Sequence, residues 1–474
     1  MTRPSVVVVG AGPGGLTAAH ELAGRGMAPL VLEKASQVGG LARTETHGGY
    51  HFDVGGHRFY TKVPEIQRFW DDMLGPELRR VRRRSRIYYG GRFFDYPLSL
   101  PNTLANLGAV ESTLSVLSYV RTRARPRREH HTFEQWVSHR FGQRLYERFF
   151  RTYTEKVWGI PCDRIAADWA AQRIKGLSLT AAVANAVFRR GDHTSLINEF
   201  RYPRLGPGMM WQRCGEEVER RGGRIWLDTD VALLRRRGAR ITEVVARRNE
   251  GDWRLPADQV ISSMPIAELV QRLDPPPPAA VLAAAGQLTY RAFVLVGLVL
   301  DTEALFPDQW LYVHAPEVRV GRIQNYGNWS DAMVPHAGGT ALGMEYFCNE
   351  GDDVWSMSDA ELVALATREL STLGLTGAAR IRHGIAIRQP KAYPVYDGRY
   401  REHLSVLQAF LASMENLQTI GRNGMHRYNN QDHSMLTGLL AARNLLGERH
   451  DLWSVNTERS YYEEMTAPAA NGTP

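Results

Sequence analysis

Hydrophobic positions divide the chain into segments of two kinds. Ser5–Gly10 reads SVVVVG, an apolar run too short for a helix and without polar alternation, as expected of a parallel strand buried on both faces. The small-residue turn Gly10-Ala11-Gly12-Pro13-Gly14-Gly15 follows, then a helical run Leu16–Gly24 and a second strand, Pro29–Lys34. Phe133–Tyr153 places apolar and aromatic residues at helical spacing. Arg224–Val231 (RIWLDTDV) and Val260–Pro265 (VISSMP) read as further strands. Between 288 and 350 the pattern is strand-like, at Ala292–Leu300, Leu311–Val313, Val320–Asn325 and Thr340–Phe347. Leu417–Gly421 is a last strand, and His433–Leu446 a last helix. There is no internal repeat.

This order predicts an α/β protein. A discontinuous Rossmann-type nucleotide domain is assembled from 1–75, 205–285 and 415–450. A mainly helical substrate domain spans 100–200, and an antiparallel sheet substrate domain spans 286–414. Asp274–Pro278 (DPPPP) reads as a stiff linker before that sheet, and 466–474 as a flexible tail.

Composition adds little to this picture. At 43% hydrophobic and 23% charged, the 474 residues are ordinary for a globular protein. The net charge is +8; Lys accounts for five of the 58 basic residues, leaving 53 Arg. Arg79–Arg86 (RRVRRRSR) and Arg121–Arg128 (RTRARPRR) read as solvated surface, with docking on nucleic acid or an anionic membrane as the alternative. No recognition-helix pattern supports nucleic-acid binding. Cys162, Cys214 and Cys348 are far apart, without metal-ligand spacing, which predicts free thiols and no metal site. With no leader-like start and no apolar run of about 20 residues, a cytoplasmic protein without an integral membrane segment is expected.

The chemistry begins in the first sixty residues. A strand, a GxGxxG turn, a helix, a second strand and an acid follow in the order that a dinucleotide requires. Gly10 makes the turn, Gly12 admits a pyrophosphate, and Gly15 lets helix and strand approach, with Gly14 among the cofactor-binding glycines. The helix N-terminus holds the phosphates, and Glu33, beside Lys34, accepts ribose hydroxyls. Two more glycine pairs follow, in Val38-Gly39-Gly40-Leu41-Ala42-Arg43 and Phe52-Asp53-Val54-Gly55-Gly56-His57. With these the chain resembles the flavoprotein superfamily of amine oxidases, protoporphyrinogen oxidases and sugar mutases. The resemblance implies a glutathione-reductase-like FAD domain, with Gly40, Leu41, Ala42, Arg43, Gly55 and Gly56 against the cofactor. NAD(P)H is then at most a transient reductant.

Later motifs narrow the resemblance. KVWGIP at Lys156–Pro161, WAAQR at Trp169–Arg173, FRYP at Phe200–Pro203, WLY at Trp310–Tyr312, RIQNY at Arg322–Tyr326, AYPV at Ala392–Val395 and YNNQDHS at Tyr428–Ser434 occur in that order. Together they resemble the UDP-galactopyranose mutase family, particularly its longer fungal-type branch. The resemblance implies a reduced-FAD mutase that interconverts pyranose and furanose forms of a nucleotide diphosphate sugar. Flavin N5 attacks the anomeric carbon while Arg173 and Arg322 clamp the diphosphate. Tyr312, Tyr393 and Tyr428 would meet the diphosphate or sugar, and His57 would sit near N5. Tyr96, Trp158, Trp310 and Asn325 would line the substrate pocket. Val231 would hold the adenine edge, while Gly421, Arg422, Asn430, Gln431 and Asp432 would flank the ribityl chain and flavin. The nucleobase loop Tyr96-Pro97-Leu98-Ser99 carries Ser99 where fungal-type members have Gln, leaving base and sugar open. A redox flavoenzyme acting on an alcohol or amine is the alternative. Oligomeric state is not legible.

Overall fold

The computed structural model describes residues 5–96, 100–124, 130–167, 199–249, 251–303, 305–334 and 338–456. The apolar runs form a five-stranded parallel sheet in the order Leu417–Thr419, Gln259–Ser262, Val6–Val9, Leu30–Leu32, Arg224–Trp226. Its strands come from well-separated stretches of chain, so the nucleotide-binding layer is discontinuous in sequence. Helix Pro13–Gly24 starts directly after the first strand, with Pro13 at its first position, where no amide donor is needed. Gly15 has a steric reason: a Cβ there would lie 1.9 Å from the Gly10 carbonyl oxygen, so only glycine lets the helix sit so close to the strand.

The segment Arg224–Val231 is not one strand. Arg224–Trp226 joins the parallel sheet, whereas Thr229–Arg237 belongs to a separate four-stranded sheet. The chain breaks at Asp228, which has φ +50°, and its amide donates to the Ala35 carbonyl. The expected helix Phe133–Tyr153 is also divided. Helix Phe133–Phe141 ends at Gly142, and helical backbone resumes at Gln143, passes through a wider π-turn at Tyr146–Arg151 and ends at Trp158.

The third large sheet has seven strands: Ile381–Pro394, Tyr290–Leu300, Thr340–Cys348, Arg322–Asn325, Trp310–Val313, Ser85–Tyr89 and Arg92–Asp95. It is not wholly antiparallel, because Trp310–Val313 pairs parallel with Ser85–Tyr89. Two of its strands also precede the helical region in sequence. The basic stretch Arg79–Arg86 is therefore structural rather than simply solvated. Arg86 makes a two-pronged ion pair with fully buried Asp308, with contacts of 2.6–3.1 Å. The three cysteines are buried and unbridged. Arg173 and the rest of WAAQR, Ser99, and the 466–474 tail lie outside the described residues.

Candidate active site

A cavity of about 1010 Å³ runs between the parallel sheet and the seven-stranded sheet. Every described residue assigned to cofactor or substrate from the sequence lines it except Gly15, which packs against Gly10, and Asn325. Asn325 is a correction. Its side-chain amide donates to the Phe306 carbonyl and its Oδ1 accepts from Thr340, so its polar groups are used inside the sheet.

One end of the cavity has the groups that could hold an anionic dinucleotide. The N-terminus of helix Pro13–Gly24 and that of Gln431–Leu445 both reach it, through Gly12–Gly14 and Asn430–Asp432. Their unpaired amides and dipoles favour negative charge there. The two helices pack at glycines: a Cβ on Gly438 would lie 2.1 Å from the Gly14 carbonyl oxygen. Glu33 accepts the Ala11 amide at 2.6 Å and the Ala35 amide at 2.9 Å, which fixes its carboxylate at the end of the second strand. Burial raises its pKa, and the backbone donors oppose that rise. Val231 lines the same end, its carbonyl accepting from Arg272. Gln431 accepts from the Trp211 indole at 3.2 Å, while its own Nε2 is buried without a protein partner. An orphaned buried donor of this kind is what a bound cofactor with acceptor atoms would satisfy.

At the middle of the cavity, His57 is held by a residue that sequence reasoning quoted but did not assign. Fully buried Asp53 accepts from the His57 ring Nδ1 at 2.6 Å, the His57 amide at 2.9 Å and the Tyr202 hydroxyl at 3.0 Å. With Nδ1 as donor, Nε2 is the ring atom free to serve other partners. Gly56 is tied to the far wall: a Cβ there would lie 1.3 Å from the Trp310 ring.

The other end is aromatic and cationic. The Arg322 guanidinium lies over Trp310, Phe347 and Tyr393 at 4.9, 4.6 and 5.7 Å, and donates to the Tyr393 hydroxyl. Beneath it Glu345, with no exposed surface, pairs with its Nη2 at 2.6 Å and accepts from Gln324 at 2.9 Å. Burial works hardest against the Arg322 charge, but the carboxylate of Glu345 and the oxygens of Tyr393, Tyr153 and Tyr428 together offset it and hold the guanidinium protonated. Burial pushes the Tyr393 hydroxyl up to about 12, so it is a neutral donor. Tyr393 stacks on Tyr428 at 5.7 Å, and Arg422 lies over Tyr428 at 4.3 Å while donating to the Asn429 and Ala392 carbonyls. Tyr312 meets Tyr96 at 4.6 Å and Tyr153 at 5.7 Å. Tyr153 stacks flat on His314, whose pKa burial lowers to about 3.

Asp53, Glu345 and His314 carry only weak local signals in the sequence and escape a reading by motif. Asp53 did lie inside a quoted motif, four residues before His57. Glu345 sits in an apolar strand, TALGMEYFC, where a lone acid is the only available signal. Among the described residues no group of His, Cys, Asp and Glu could hold a metal ion. No helix among them is long and apolar enough to cross a membrane.

The chain is 26% identical over 402 residues to coproporphyrinogen III oxidase of Mycobacterium leprae (strain TN), covering 79% of this chain and 84% of that one. It is 27% identical over 170 residues to UDP-galactopyranose mutase of Mycoplasma pneumoniae, covering 34% of this chain and 41% of that one. A solved structure of reduced UDP-galactopyranose mutase shares the fold, with a TM-score of 0.85 at 22% identity, over 97% of this chain and 100% of the other. Putrescine oxidase bound to putrescine shares it more loosely, with a TM-score of 0.60 at 16% identity, over 94% and 100%. Residues 13–395 match the family described as flavin containing amine oxidoreductase. With a dinucleotide cradle, an unpartnered buried donor and this match over most of its length, the chain belongs to the flavin containing amine oxidoreductase family and is a FAD-dependent enzyme.

Proposed function

We propose that this flavoenzyme is a reduced-FAD-dependent mutase that interconverts the pyranose and furanose forms of a nucleotide sugar. The observation that carries the reading is Arg322. It is a charged guanidinium, 11% exposed, whose Nε has no protein partner, on the aromatic wall of the same cavity that holds the dinucleotide cradle. A diphosphate leaving group needs such a fixed cation, and a guanidinium offers it parallel donors. When bound, reduced FAD supplies a nucleophilic nitrogen at the anomeric carbon.

The chain's own groups then divide the work. Arg322 and Arg173 hold the diphosphate, and Tyr393, kept neutral, donates its hydroxyl beside them. Tyr312 and Tyr428 contribute further hydroxyls, while Trp158, Trp310 and Tyr96 wall the substrate against water. Asp53 fixes the His57 ring, so that Nε2 faces partners other than Asp53. Arg422 braces Tyr428 and closes the cofactor side. NAD(P)H is the transient reductant in this reading, and the cytoplasm the compartment.

A redox flavoenzyme is the second reading. It is favoured by Glu345, which neutralises much of the Arg322 charge, and by the length of the match to an oxidase. The test is to prime the FAD-loaded protein with dithionite and offer a panel of nucleotide diphosphate sugars. The mutase reading expects a product of unchanged mass, formed without net electron transfer. Stoichiometric peroxide, reduced acceptor or an oxidised sugar would establish the second reading instead.

A further inference from the structure

Helix Ala109–Arg123 is amphipathic in the wrong direction for a helix of a water-facing surface. On such a helix the apolar stripe faces the core. Here the inner face is polar. Glu111 reaches inward to Arg144 and Arg148, at 2.8 Å to each guanidinium, Ser115 is buried, and Ser118 accepts the Arg144 amide at 3.2 Å. The helix backbone sits tightly on the Gly142 turn, where a Cβ would lie 2.9 Å from the Tyr119 Cα. The outer face carries Val110, Leu114, Val116, Leu117 and Val120, exposed by 77, 40, 49, 59 and 57%. Leu104, 38% exposed, belongs to the preceding helix Leu100–Leu107. A contiguous patch of this kind calls for an apolar partner.

Charge identifies the partner. The helix ends in Arg121 and Arg123, both exposed, and Arg123 lies beside Arg140, whose pKa is lowered by burial and then by the Arg123 charge. In sequence the basic run continues to Arg128. Across 100–124 the one carboxylate is Glu111, which is committed inward to Arg144 and Arg148. Against a second copy of the same face, in either helix direction, these arginines meet no acid. An anionic lipid surface offers both an acyl boundary for the valines and leucines and phosphates for the arginines.

We propose that helix Ala109–Arg123 docks the protein peripherally on an anionic membrane, with Val110, Leu114, Leu117 and Val120 at the acyl boundary and Arg121 and Arg123 at the phosphates. This would hold the protein at a lipid surface by a peripheral contact. It does not depend on which reaction the cavity performs.

The FAD-loaded protein is sedimented with phosphatidylcholine vesicles, with and without about 30% phosphatidylglycerol, at two salt concentrations. Binding is expected with the anionic vesicles, weakening at high salt. The Leu114→Gln/Leu117→Gln and Arg121→Glu/Arg123→Glu double variants should each bind about tenfold less or weaker still, with FAD content unchanged. Both variants alter exposed positions, and their melting temperatures check that the fold survives. Sedimentation velocity on the same samples supplies the opposing outcome. A wild-type protein that ignores anionic vesicles overturns the proposal. If it is also a dimer that the Leu114→Gln/Leu117→Gln variant dissociates, the face belongs to a second copy.

Discussion

The two ends of the cavity are made by opposite strategies. The cradle end is local: within thirty residues a strand, a glycine turn, a helix and an acid set up the anion site, and backbone supplies most of its donors. The aromatic end is assembled from far apart. Arg322, Glu345 and Tyr393 come from three strands of one sheet, Tyr96 and Tyr153 from before the second half of the nucleotide layer, and Tyr428 from after it. A local site is specified by steric necessity at a few glycines. A dispersed one depends on buried side chains satisfying one another, so its failures should differ in kind.

The largest effect is expected where the cradle has no room. Gly15→Val should cost more than about 4 kcal/mol, beyond ordinary point changes, because the new Cβ meets backbone that cannot give way. Loss of soluble, yellow protein is the readout; a normal yield of loaded protein would break the steric account. Arg322→Ala comes next, at about 3–5 kcal/mol, since it leaves Glu345 as an unpaired buried carboxylate. Chemical denaturation measures it, and Glu345→Gln in the same background should recover part of the loss. A variant as stable as wild type would mean that the pair is not buried as described.

A smaller effect is set by pH. Burial lowers His314 to about 3 and His426 to about 4, below the roughly 6.5 of an unfolded histidine. Between those values the unfolded chain binds more protons, so stability is full above about pH 6.5 and is lost as pH falls toward the folded values. The slope is at most about 1.4 kcal/mol per pH unit for each ring. His314→Gln should flatten the curve of unfolding free energy against pH; an unchanged slope would show that this ring is not held neutral. Smallest in stability is Gly12→Val. Apart from its chain neighbours, no protein atom lies closer than 3.9 Å to a Cβ there, so the change should stay within about 0.5 kcal/mol. Gly12 lines the cavity, and in the proposed reading a side chain there blocks the pyrophosphate, so FAD content should fall sharply. Equal losses of stability and FAD would erase the distinction between this glycine and Gly15.

The same contrast explains what could be read in advance. The parallel strands Val6–Val9 and Leu30–Leu32 are legible because burial leaves uninterrupted apolar runs, whereas Gln259–Ser262 and Leu417–Thr419 carry polar residues and are marked only by short β-type stretches. Arg224–Val231 was read as one strand because an apolar pattern does not register the turn at Asp228. Tertiary hydrogen bonds to Ala35 and Glu33 create that turn. Asn325 had the right motif neighbours, but strand alternation sends Asn325 into the sheet and leaves Arg322 toward the cavity. Arg86 and Glu345 look alike in sequence to surface charges. Their roles come from partners more than twenty residues away, Asp308 and Arg322.

The central claim is that both ends form one site, with Arg322 presenting its guanidinium to a diphosphate beside the flavin. It is tested most directly by titrating a nucleoside diphosphate into the FAD-loaded protein while following the flavin spectrum. Wild type should show a saturable perturbation, and Arg322→Lys, with its FAD retained, should bind at least about tenfold more weakly, the loss expected when a planar fork becomes a point charge. No perturbation in wild type, or identical affinity in Arg322→Lys, would contradict the account.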